Sequence, residues 1–125
     1  MTQLTEQETF EKVVRHLFTQ GKRAVNREGL CMYRGPDGLK CAIGCLIPDY
    51  LYRPRMEDQV LHSVWASVPD LIQDYEFMNE LQYLHDHEQN WTDDVVMQNA
   101  AIQFAVSYNL DAGFVKELSF NKKPE

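Results

Sequence analysis

Three cysteines fall within fifteen residues, Cys31, Cys41 and Cys45, and three histidines lie downstream of them at positions 62, 85 and 87. Zinc takes four Cys or His ligands, so the three thiols plus His62, His85 or His87 would complete a site on residue type alone. The spacing argues otherwise. Nine residues separate the first two cysteines and three separate the next two, whereas zinc knuckles open with two to four. The expectation is therefore free structural thiols, with no metal and no cofactor. A thiol-dependent enzyme centred on Cys41, Cys45 and His85 is the alternative. Cys45 follows Gly44 where the chain turns, and the start of a helical turn lowers a thiol pKa. His85 and Asp86 would then serve as base and orienting acid, because such triads are assembled in space and not in sequence. Against this, Cys45 sits in the apolar run from Ile43 to Ile47, where thiols are inert core groups. His62, His85-Asp86 and Asp111 also follow the order of a helical metal phosphohydrolase, a pattern of little specificity in so short a chain. The consecutive polar residues His85 to Glu88 read instead as a solvated helix end. The chain is expected not to be an enzyme.

The carboxylates form the other candidate. Between Met56 and Val115 there are eleven Asp or Glu and no Lys or Arg, while Lys12 to Arg55 holds nine basic residues against Glu28, Asp37 and Asp49. Asp74, Glu76, Glu80, Asp86, Glu88, Asp93 and Asp94, interleaved with Tyr75, Phe77, Tyr83 and Trp91, suit a surface that engages a basic patch on a partner protein. The plainer alternative is a face that only aids solubility. Phosphate repulsion disfavours direct DNA binding by this segment. Were the carboxylates merely solvating, the binding site would fall to Arg34, Lys40, Arg53 and Arg55.

The elements that must position these groups follow from periodicity and turn chemistry. Thr5 and Glu8 have capping-box spacing, and Phe10, Val13, Val14, Leu17 and Phe18 then share one helical face, which predicts a helix over 5–20. Segments 30–34 and 39–43 flank Gly35-Pro36-Asp37-Gly38, predicting a β-hairpin with a type I turn and a left-handed glycine bulge. That register sets Tyr33 opposite Cys41 and Cys31 opposite Ile43, with both cysteines on one face. A short helix is expected near 56–65, and main helices over 70–88 and 92–109, the last capped by Thr92 with Trp91 and Val96 as a staple. The inward face of that helix would be Val96, Ala100, Phe104 and Tyr108. The fold class expected is α+β, a hairpin packed on three helices.

One domain over 1–120 accounts for a chain of 125 residues, with 121–125 a frayed tail. No apolar run approaches the roughly 20 residues that span a bilayer, and the first residues lack a signal peptide's basic start. An odd cysteine count fits a reducing compartment. These features predict a cytoplasmic protein with no membrane contact. The stretch Cys31-Met-Tyr-Arg-Gly-Pro-Asp-Gly-Leu-Lys-Cys-Ala-Ile-Gly-Cys-Leu-Ile-Pro-Asp49 resembles a segment of small uncharacterised bacteriophage and prophage proteins. The resemblance implies a mobile-element origin and no particular reaction. Small phage proteins of this kind often bind and disable a host protein, a defence or nucleic-acid-binding protein among them. The function expected is thus a non-enzymatic inhibitor of a host protein with a basic surface, acting in the host cytoplasm. A virion structural or assembly component is a third class.

Overall fold

The computed structural model describes residues 4–58, 64, 66, 68, 71, 72 and 74–120. Helix α1 (Glu6–Gln20) starts at the expected capping box, with Glu8 N–H donating to Thr5 Oγ1 at 3.1 Å and Thr5 N–H to Glu8 Oε1 at 2.9 Å. It stops at Gly21, whose φ of 78° suits a residue without Cβ. Its buried face is the predicted one: Phe10, Val13, Val14, Leu17 and Phe18.

Helix α2 (Tyr75–Asp86) is shorter than 70–88, because Asp74 caps it by accepting Phe77 N–H at 3.1 Å. Helix α3 (Asp94–Tyr108) is capped by Asp93, not Thr92, and ends at Asn109 with a φ of 57°. Met97, Ala101, Phe104 and Ala105 point inward. Of the expected face, Phe104 is buried, Ala100 and Tyr108 pack partly buried against the core, and Val96 is exposed, so it does not serve as the expected staple. The three helices meet at one aromatic stack. The Phe104 ring of α3 lies 5.5 Å from Phe10 of α1 and 5.3 Å from Phe77 of α2, distances at which aromatic pairs attract beyond their buried area. Of the expected short helix, Pro54–Asp58 is a 3₁₀ turn, and 59–63 and 65 lie outside the described residues, as does the tail 121–125.

The α+β expectation is overturned: among the described residues there is no strand, and the fold is helical. The predicted hairpin is reduced to the isolated bridge Arg34–Lys40, and Cys31 bridges Val25 instead of Ile43. The cause is where the backbone donors go, since each buried N–H must find some acceptor. Glu57 takes two of them, Tyr33 N–H at 2.9 Å and Arg34 N–H at 3.0 Å. Gln20 Oε1 takes Lys40 N–H at 2.7 Å and Gln82 Oε1 takes Ile43 N–H at 2.9 Å. Of these, Tyr33 N–H and Ile43 N–H are the ones the hairpin itself would have paired, whereas the Arg34 and Lys40 N–H groups point outward from their bridge. Beyond Cys41 the chain enters a 3₁₀ turn over Gly44–Leu46, which ends any strand. At the tip, Arg34 does face Lys40 as the expected register requires. However, Asp37 (φ 60°) and Gly38 (φ 78°) are both left-handed, the sign pattern of a type I′ turn and not of a type I turn with a bulge. The cysteines therefore do not share a strand face: Cys31 is exposed and Cys41 buried.

Two predictions follow from this packing. A Cβ on Gly44 would stand 1.8 Å from the Tyr33 carbonyl oxygen, and that carbonyl accepts Cys41 N–H at 3.1 Å, so it cannot swing away freely. Gly44→Ala should cost about 3 kcal/mol or more in urea unfolding. Gly38→Ala, which meets open space, should cost only about 1 kcal/mol for its left-handed backbone; equal costs would contradict this packing. The second concerns His16, whose Nε2–H donates to the Lys40 carbonyl at 2.9 Å. Burial holds this imidazole below its ordinary 6.5, against the pull of that hydrogen bond. The unfolded chain therefore binds the proton first as pH falls through 6.5, and stability is lost from there down to the lower folded value. Melting temperature should drop between about pH 7.5 and 5.5, and His16→Gln, which keeps an amide donor, should flatten the drop. An unchanged slope in the variant would show that His16 does not carry it.

Candidate functional site

The sequence grouped Cys45 with His85 and Asp86, but the structure assembles a different set. The Cys31 thiol, His85 and Asp86 bring ligand-type atoms within 4.8 Å of one another, and Cys31 and Asp86 line a cleft of about 310 Å³ with Tyr33, Cys41, Glu57 and Gln82. Cys45 instead donates its S–H to the Ala42 carbonyl at 3.0 Å, and the charges that act on it are those of Lys12 and Lys40. Burial pushes its thiol up to about 12, against those two cations. Cys41 is fully buried, its Sγ accepting Gly44 N–H at 3.2 Å, and burial raises its pKa as well. Neither is a nucleophile at neutral pH.

His85 is the residue the sequence misplaced most. It is completely buried, not a solvated helix end. Ala24 N–H donates to its Nε2 at 2.8 Å, and its Nδ1 lies 2.8 Å from Asp86 Oδ1. A backbone N–H can only donate and the carboxylate accepts, so the ring proton sits on Nδ1 and Nε2 is a bare acceptor. Both nitrogens are thereby occupied. A general base or a metal ligand needs a free lone pair, and using either nitrogen would orphan a buried donor or break the Asp86 bond. Trp91 Nε1–H donates to the His85 carbonyl at 2.8 Å and the indole meets the imidazole edge-on at 5.8 Å.

Asp86 gathers the rest. Burial works against its charge, yet hydrogen bonds from His85, Cys31 and Gln82 hold its carboxyl below the usual range. Cys31 is correspondingly pushed up to about 11, first by burial and then by its bond to Asp86, with Arg23 opposing. The arrangement can hold a carboxylate charged and a thiol protonated, the opposite of what a thiolate enzyme requires. His62 lies outside the described residues, and Asp111 bonds Gln7 at the start of α1, which leaves the phosphohydrolase grouping without support.

The seven carboxylates divide by role. Asp74 and Asp93 cap helices, Asp94 accepts Phe120 N–H at 2.9 Å, and Asp86 is committed to the His85 network. Glu88 is exposed at the far end of α2. What converges is Asp74, Glu76 and Glu80: the Tyr108 hydroxyl donates to Glu80 Oε2, and all three carboxylates, after burial, push the phenol's pKa up. All three are exposed. On the basic side, Arg34 and Lys40 are tied to Asp49 at 2.8 and 3.8 Å, while Arg53 and Arg55 are exposed. Comparison with protein families, curated proteins and solved structures returns no match. Among the described residues, no helix is long and apolar enough to cross a membrane.

Thiol labelling tests this geometry. Cys31 should alkylate before Cys41 and Cys45, at roughly a tenth of the rate of an unperturbed thiol, since lost thiolate is partly offset by higher nucleophilicity. Asp86→Asn should speed Cys31 labelling. Fastest modification at Cys45 would contradict the assignment.

Proposed function

We propose that the protein is a non-enzymatic binding protein that engages a basic surface on another protein through the acidic corner of α2. The observation that carries this reading is the row of exposed carboxylates Asp74, Glu76 and Glu80 at the start of α2, the last of them hydrogen-bonded to Tyr108, in a stretch that contributes no Lys or Arg between Met56 and Val115. Concentrated charge of one sign steers encounter with a complementary patch. The resemblance of residues 31–49 to small phage proteins favours a host protein as the target, met in the host cytoplasm. The saturated His85 network favours binding over thiol or metal chemistry, and an acidic corner opposes direct contact with DNA. The contact set narrows from seven carboxylates to three. Asp86 and Asp94 are spent on internal hydrogen bonds, Asp93 caps α3 and Glu88 lies in the turn beyond α2. Asp74, which also caps α2, stays exposed with Glu76 and Glu80.

The test must respect the local structure. Charge reversal at Asp74 would remove a helix cap worth about 1 kcal/mol, so neutral isosteres are the cleaner variants: Asp74→Asn keeps a capping oxygen and Glu80→Gln keeps an acceptor for Tyr108. A partner captured from host lysate should associate about tenfold more slowly with the triple variant Asp74→Asn, Glu76→Gln, Glu80→Gln. Wild-type association should slow similarly between about 50 and 300 mM salt. Association indifferent to both would mean the carboxylates only solvate the surface, and attention would move to Arg53 and Arg55.

A further inference from the structure

The acidic corner opens onto a groove between α2 and α3 of about 490 Å³. Phe104, Leu84 and Ala100 contribute apolar surface, Tyr83 and His87 stand on the α2 side, and Glu80 belongs to both groove and corner. That volume is in the range of pockets that take a small ligand group.

Three features specify the chemistry of an occupant. Alongside the amides of Asn79 and Gln103, which can donate as well as accept, two groups of the lining offer acceptors. Asn90 is only 4% exposed and lines the groove; its amide nitrogen donates to the Leu84 carbonyl at 3.1 Å, and its carbonyl oxygen accepts from no described group. That oxygen is not a sealed atom, since among the described side chains only Arg34 Nε is buried without a partner, and it is free to accept an incoming N–H donor. Glu80 supplies negative charge, reinforced by Asp74 and Glu76 beside Tyr108, and no Lys or Arg lines the groove. The third feature is an aromatic face. Tyr83 is 55% exposed, and its ring is fixed by stacking on His87 at 5.0 Å and by a hydroxyl contact to His87 Nδ1 at 3.0 Å. A pre-set aromatic wall beside a carboxylate and a bare carbonyl matches a flat, donor-only cation.

The geometry points to a recognition pocket for an arginine side chain of the partner, with the guanidinium against Tyr83 and hydrogen-bonded to Glu80 and the Asn90 carbonyl. Arginine fits better than lysine because its planar fork stacks on a ring while its N–H groups reach several acceptors at once. This rests on the reading of α2 as a surface for a basic partner and names the group that reading would recognise.

The experiment is an amide-detected NMR titration of the full chain with N-acetyl-arginine amide, using N-acetyl-citrulline amide as the uncharged isostere. Arginine amide should bind weakly, in roughly the millimolar range, shifting amides of residues 79–90 and 100–107, and citrulline amide should not. Tyr83→Leu should weaken binding roughly fivefold, and Glu80→Gln should weaken it by at least as much. Equal shifts from both compounds, or shifts confined to other faces, would overturn the pocket. Partner association separates the two proposals. A partner slowed by the triple neutral variant but indifferent to Tyr83→Leu sinks the arginine pocket and leaves the acidic corner standing. A partner indifferent to both sinks the corner as well.

Discussion

The structure depends on a buried histidine with no spare nitrogen. His85 reaches from the end of α2 to Ala24 N–H, the start of the loop that carries Cys31 to Cys45, and Asp86 fixes the opposite side of the ring. A polar side chain that is fully buried costs stability unless each of its groups is paired, and this one is paired on both nitrogens and through its carbonyl, which receives Trp91. The network locks the loop, α2 and the turn before α3 to one another. Removing the imidazole would leave Ala24 N–H unpaired in the core, a loss larger than the hydrogen bond itself is worth.

The same economy governs the segment that lacks regular structure. Residues 31–47 carry almost no strand pairing, yet they hold a fixed course, because Glu57, Gln20 and Gln82 accept their backbone N–H groups one by one. Glu57 also accepts the Tyr52 hydroxyl at 2.6 Å, and burial together with that bond pushes the phenol up to about 12. Gly44 is needed where this segment passes closest to itself, against the Tyr33 carbonyl. Side-chain acceptors from three separate regions thus replace a sheet, in a segment whose exposed Cys31 and buried Cys41 both line the cleft while the half-buried Cys45 does not.

This explains what the sequence did and did not disclose. Helix α1 was legible in full, since its capping box, apolar face and glycine stop are local signals. Helix α2 is legible in kind and, through Met78, Leu81 and Leu84, in phase, whereas α3 is legible in kind but only Phe104 of its expected inward face is buried. Asp93 competes with Thr92 as a cap, and the face that packs inward is carried by Met97, Ala101, Phe104 and Ala105. The hairpin expectation fails even though its residues have strand-like alternation and its tip residues Arg34 and Lys40 do bridge. What cancels the strand is distant in sequence: Gln82 lies 39 residues from Ile43 and Glu57 lies 24 from Tyr33. The role of His85 was hidden for the same reason, its acceptor nitrogen answering a backbone group 61 residues away. A weak signal existed, in that His85 continues the i, i+4 apolar row from Leu81. For the carboxylates, charge density was visible but its division was not, because capping and internal hydrogen bonds claim four of the seven.

That His85 is spent on structure argues against thiol and metal chemistry in the cleft, and the proposed binding role rests instead on the acidic face of α2. The most direct test is the ring itself, observed by long-range proton–nitrogen NMR correlation of the full chain near neutral pH. The account predicts that the His85 proton is on Nδ1, with Nε2 an acceptor coupled to the Ala24 amide, and that added zinc leaves both nitrogens unmoved. A ring protonated on Nε2, or nitrogen shifts that follow stoichiometric zinc, would contradict it.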